Sequence, residues 1–208
     1  MTWAGRRGPE PADATARGAR RGLLVRFDAR RGERGTVIVE AAIIIPLLLV
    51  LIFGAIEYGI AFRESGAVHA ASRSGARIAS AMPRNAGYLD AAANAVTAAM
   101  GDANRSTPQE MWVFHASSTG QRPSTCSSEC TLFTWNGTKF VQSGGSPWLA
   151  DQQNACVSAD DPNLPEQVGV YVKAKHSMIT KLFGSSVTLT STSVMRLEPY
   201  VGTGGCSP

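Results

Sequence analysis

Three groups of side chains in this 208-residue chain could do chemistry: the four cysteines, the three histidines, and two carboxylates, Glu40 and Glu57, that bracket an apolar run. Cys126, Cys130, Cys156 and Cys206 all lie in the second half. An even count of this kind in an oxidising compartment points to two disulfides among three possible connectivities. Cys126 and Cys130 either pair locally or tie separately to Cys156 and Cys206. Zinc is a poor fit, because Cys-x-x-x-Cys followed by two distant singles does not supply the usual paired tetrahedral spacing. His69, His115 and His176 stand alone, with no H-E-x-x-H, G-x-S-x-G, Ser-x-x-Lys or phosphate-cradling glycine loop beside them. The expectation is a protein with no catalytic activity, no cofactor, no metal and no small-molecule substrate. Asp160-Asp161 before Pro162 reads as a turn. Glu40 and Glu57 matter for another reason: a carboxylate at the edge of lipid hydrocarbon is costly unless it is partnered or reaches water. Glu57 is expected to reach the interface.

The element that holds those two carboxylates is the run VIVEAAIIIPLLLVLIFGAIEYGIAF over 37–62. Sixteen residues without a charged or strongly polar side chain separate Glu40 from Glu57. As helix they cover about 24 Å, and the whole run about 39 Å, against a hydrocarbon core of about 30 Å. Ile43 to Phe53 is apolar all round, whereas a core helix of a soluble protein carries a polar stripe. One transmembrane helix over 36–62 is expected, loosened near Ala42 by Pro46, which lacks an N–H and crowds the carbonyl four residues back. Charge fixes its orientation. The chain carries +4 overall, but residues 1–35 hold nine arginines and four acids, a net of +5, leaving −1 for 36–208. This arm lacks the aromatic interleaving of a nucleic-acid reader, so no nucleic-acid partner is expected. By the positive-inside bias, 1–35 is a basic cytoplasmic leader and 63–208 an extracytoplasmic domain. A secretory cleavage site at Ala79-Ser80-Ala81 competes with this reading, but it lies about 25 residues past the apolar core, which favours an uncleaved anchor.

The helical pattern persists beyond the span. Ala67, Ala71, Gly75 and Ala79 recur every fourth residue, a small-residue face that permits close helix approach, as Ala55-x-x-x-Gly59 does within the run. Two readings of the face remain open: packing against a partner helix, or against a second helix over Tyr88–Met100 in the same chain. Arg73 and Arg77 read as a solvated face. Strands follow at Met111–Ser117, at Leu132–Val141 as a hairpin turning on Asn136-Gly137 with a type I′ turn, at Val168–Lys175 and at Val187–Leu197. A short helix at Trp148–Ala155 and a helical turn at Met178–Phe183 complete the pattern. The fold class is α+β: a long N-terminal transmembrane helix continuing into an extracytoplasmic helix, a second helix, then a small antiparallel sheet.

Four pieces of this sequence carry a resemblance. Arg34-Gly35-Thr36-Val37-Ile38-Val39-Glu40 is similar to the processing site of type IV pilin-like precursors, cut after the glycine by a membrane peptidase. With Pro46-Leu47-Leu48, Phe53-Gly54-Ala55-Ile56-Glu57-Tyr58-Gly59 and A-A-S-R-S-G-A-R-I-A over 70–79, the set resembles the TadE-like family of the tight-adherence (Tad, or Flp) pilus machinery. The resemblance covers about a quarter of the chain, with a weaker likeness over 168–199. It implies a minor pilin, pseudopilin or assembly factor whose partners are the membrane, other Tad/Flp assembly proteins and a prepilin peptidase. Carried over with it are Gly35 before the cut, Thr36 as the new N-terminus, and Glu40 as the acid that registers one subunit against the next. The alternative is a membrane-tethered extracellular binding or adhesin module that never enters a pilus.

Overall fold

The computed structural model describes residues 30–101, 103, 105–156 and 165–199, with side chains from residue 35 onward. Most of the basic leader, Asp160-Asp161 and Cys206 lie outside the described residues. The element order is α1 (Arg30–Ser80), α2 (Tyr88–Met100), β1 (Ser106–Ala116), β2 (Cys130–Trp135), β3 (Phe140–Ser146), a 3-10 turn (Ala150–Gln152), β4 (Gln167–Ser177) and β5 (Ser186–Arg196). The chain divides into two compact units, 1–44 and 45–208. The first contains the opening turns of α1, where Gly35 to Glu40 are exposed. All packing described below belongs to the second.

Helix α1 continues through Pro46 without a break in its assignment. Helix α2 is alanine-rich, set between Gly87 and Gly101, with Asp90 in its first turn where a negative charge complements the helix dipole. It buries Tyr88, Ala92, Ala93, Val96 and Met100, one face at helical spacing. The strands form one antiparallel sheet in the order β3-β2-β1-β4-β5. Alternation along β1 and β4 separates its faces. Met111 and Val113 pair with Val172 and Val170 and join the core with Val68, Ala71, Ala76 and Ala79 of α1 and the buried face of α2. Trp112, Phe114 and Tyr171 face the other way. There the β1–β2 loop folds back, setting the Arg122 guanidinium 4.5 Å from the Trp112 ring centre and 4.2 Å from that of Tyr171. The loop is closed by a Cys126–Cys130 disulfide, which resolves the connectivity in favour of local pairing. Cys156 is disulfide-bonded as well. Gly169 is required where it stands, since a Cβ there would meet the Phe114 ring at 2.2 Å.

Three local expectations are corrected. The β2–β3 hairpin forms, but of Asn136 and Gly137 only the glycine has positive φ, so the turn is not type I′. Instead Asn136 Oδ1 accepts from the N–H groups of Thr138 and Lys139, at 3.0 and 2.9 Å. The helix expected over Trp148–Ala155 shrinks to a 3-10 turn, because the Tyr88 hydroxyl donates to the Trp148 carbonyl that a helix would need, and Gln152 N–H turns to Leu149 O at 3.1 Å. Met178–Phe183 is a loop rather than a helical turn. Its N–H groups have another acceptor.

Candidate functional site along the long helix

That acceptor is Glu57. Instead of reaching the interface, its side chain is 1% exposed. One carboxylate oxygen accepts the Ile179 N–H, and the other accepts that of Thr180 at 3.3 Å. One turn away Gly54 makes room for Phe183, whose ring edge lies 3.2 Å from where a Cβ would stand, and the Phe183 and Tyr58 rings lie 5.9 Å apart. The F-G-x-x-E-x-G piece of α1 therefore seats the β4–β5 loop: the glycine admits a ring and the glutamate satisfies two backbone donors.

Further along α1, Ser72 is buried, and its hydroxyl meets those of Ser191 and Ser193 on β5 at 2.8 and 2.9 Å. His69 Nδ1 lies 2.7 Å from the Ser191 hydroxyl. Gly75 packs inside the domain: a Cβ there would stand 2.5 Å from Val96 Cγ2 and 3.2 Å from Val170 Cγ1. At Ala71, Gly75 and Ala79, all buried, the close packing is thus within the chain. Ala67 is half-buried, and Arg73 and Arg77 are exposed. Ala55 and Gly59 are exposed, and nothing lies within 4 Å of a Cβ built on Gly59. Glu40 is exposed, one helical turn from Thr36.

Leu47 to Phe53 and Ile56 are likewise exposed. In the most apolar stretch of α1 only 6% is buried, whereas a core helix of a soluble domain would be covered. Among the described residues, α1 is one helix long and apolar enough to cross a membrane. Its distal part carries core residues of the domain, so a cut at Ala81 would strip Val68, Ala71, Ala76 and Ala79 from that core. Among the described residues no group of three or more His, Cys, Asp or Glu could hold a metal ion. Sequence reading missed the roles of Gly54, Glu57 and Ser72. Two signals were present, a glutamate and a glycine at helical spacing inside an apolar run.

Helix and sheet together define an α+β domain built onto a helix of membrane-spanning character. Residues 35–77 match the family model described as TadE-like protein. The chain carries a TadE-like domain over 43 of its 208 residues, all of it on α1. No curated protein and no solved structure matches the chain.

Proposed function

We propose that this protein is a component of a Tad/Flp pilus apparatus, a minor pilin, pseudopilin or assembly factor without catalytic activity of its own. It acts by helix packing in the bilayer and through an extracytoplasmic domain, with the basic leader on the cytoplasmic side. The observation that carries this reading is the coincidence of the TadE-like match with α1, a helix exposed and apolar from Ile43 to Phe53 and buried along one face in the domain from Val68 to Ala79.

Cleavage between Gly35 and Thr36 by a prepilin peptidase would leave an α-amino group at the edge of the hydrocarbon. An ammonium there requires an anion, and Glu40, one turn along and exposed, is placed to serve its own terminus or a neighbouring subunit's. The open Ala55-x-x-x-Gly59 face admits a second helix backbone at close range. Intact-mass measurement on protein made in cells that contain the peptidase tests the mechanism, and the expected product begins at Thr36. Recovery of only the full-length chain refutes processing and leaves the membrane-tethered binding module, while a chain cut near Ala81 has lost α1 and refutes both readings.

A further inference from the structure

We infer that the β4–β5 loop, residues 178–185, is a second membrane contact, lying in the lipid headgroup layer where α1 leaves the hydrocarbon. The inference rests on the reading that α1 spans the bilayer. Ile179, Leu182 and Phe183 are 46%, 55% and 44% exposed, three large apolar side chains within five residues on a loop tip. Solvated loop tips are built from small and polar residues, so this composition needs a cover.

Position identifies the cover as lipid. Phe183 packs on Gly54 and beside Tyr58, in the distal part of the exposed apolar band that runs from Leu47 through Ile56 to Phe62. The loop's apolar side chains thus extend that band sideways near its distal end, as a continuation of the same lipid-facing surface. Five of the loop's eight N–H groups are paired within the chain, which suits a layer poor in water, where an unpaired N–H is expensive. The N–H groups of Ser177 and Met178 reach Arg105 O and Ser185 O, those of Ile179 and Thr180 reach Glu57, Leu182 reaches the Thr180 hydroxyl and Gly184 reaches Lys181 O. Charge agrees: from Gln167 to Leu197 there is no acidic residue, while Lys175 and the tip residue Lys181 are exposed. Apolar side chains flanked by lysine are the composition that binds an anionic lipid interface.

The test uses the full chain reconstituted in vesicles of phosphatidylcholine and phosphatidylglycerol brominated high on the acyl chain. Leu182→Trp adds a fluorophore at the tip, with the parent chain as background for its native tryptophans, and Leu49→Trp reports on the helix itself. The expected result is bromine quenching of the added emission in both variants, with a blue shift of the Leu182→Trp emission relative to detergent-free aqueous exposure. Quenching at Leu49→Trp but none at Leu182→Trp overturns the loop contact and leaves the anchor intact. If Leu182→Trp escapes bromine quenching and is nevertheless shielded from acrylamide, a second copy or another protein covers the tip, and the lipid assignment fails. Absence of quenching at Leu49→Trp refutes the spanning reading and this inference with it.

Discussion

Replacing Glu57 separates a structural carboxylate from one that merely reaches water. Glu57→Ala would leave the N–H groups of Ile179 and Thr180 without their acceptor beneath the loop. A buried donor left unsatisfied costs about 1–3 kcal/mol, and the longer Thr180 contact belongs at the low end, so the pair gives roughly 3 kcal/mol. For a chain of this size that lowers Tm by about 6–12 °C. Glu57→Gln keeps one carbonyl oxygen and should fall about midway, at roughly 1–2 kcal/mol. Thermal unfolding followed by circular dichroism in nanodiscs gives the ranking, wild type above Gln above Ala. Amide hydrogen exchange places the effect, with protection lost at residues 179 and 180. Had Glu57 simply snorkelled, neither measurement would move. A Glu57→Ala variant melting within about 1 °C of wild type, far inside the expected shift, with unchanged exchange at those amides, refutes the reasoning.

Gly75→Val should cost about 1–3 kcal/mol by overpacking against Val96 and Val170, whereas Gly59→Ala, in open space, should leave Tm unchanged or raise it slightly, with both read by the same melting assay. Gly59→Ala should nevertheless reduce co-purification with pilus components if the Ala55 and Gly59 face is the one that packs. Burial pushes the pKa of the Tyr88 hydroxyl up to about 12 from an ordinary 10.0, with the neighbouring Gln153 side chain acting in the opposite direction. Because the folded state holds the proton more tightly, this contribution is complete below pH 10 and is lost as pH rises to about 12. It amounts to about 2–3 kcal/mol, seen as a steeper alkaline fall in stability for wild type than for Tyr88→Phe. Non-reducing peptide mapping should find Cys126 joined to Cys130 and a second linked pair containing Cys156 and Cys206; a free thiol at Cys156 would contradict it.

Features set by local periodicity were legible. The apolar run of α1, the face of α2, the β2–β3 hairpin and the two long strands β4 and β5 all follow from side-chain spacing over a few residues. The start of β1 was not, because Pro108 argues against a strand interior and the structure accommodates it with a register shift between Pro108 and Glu110. Glu57 shows the deeper reason for such misses. Its partners are 122 and 123 residues away in sequence, so near lipid it reads as an exposed charge until the chain closes on it. Gly59 and Gly75 make the same point as a pair. Both lie on small-residue stretches of one helix, and only the arrival of Val96 and Val170 makes one a core position while the other stays open.

The Ser72 bridge to β5 dictates an order of events during synthesis. Ser72 and its partners Ser191 and Ser193 are 119 and 121 residues apart, and among the described residues β5 is the last strand made. The helix therefore emerges, and must be held, long before anything exists to cover its Ser72 and Glu57 side. Contacts this distant in sequence form late and slowly, leaving β4 with a bare edge in the interval, the condition under which nascent domains aggregate or recruit chaperones. A chain truncated before Ser186 would remain in that unfinished state, anchored yet unable to close.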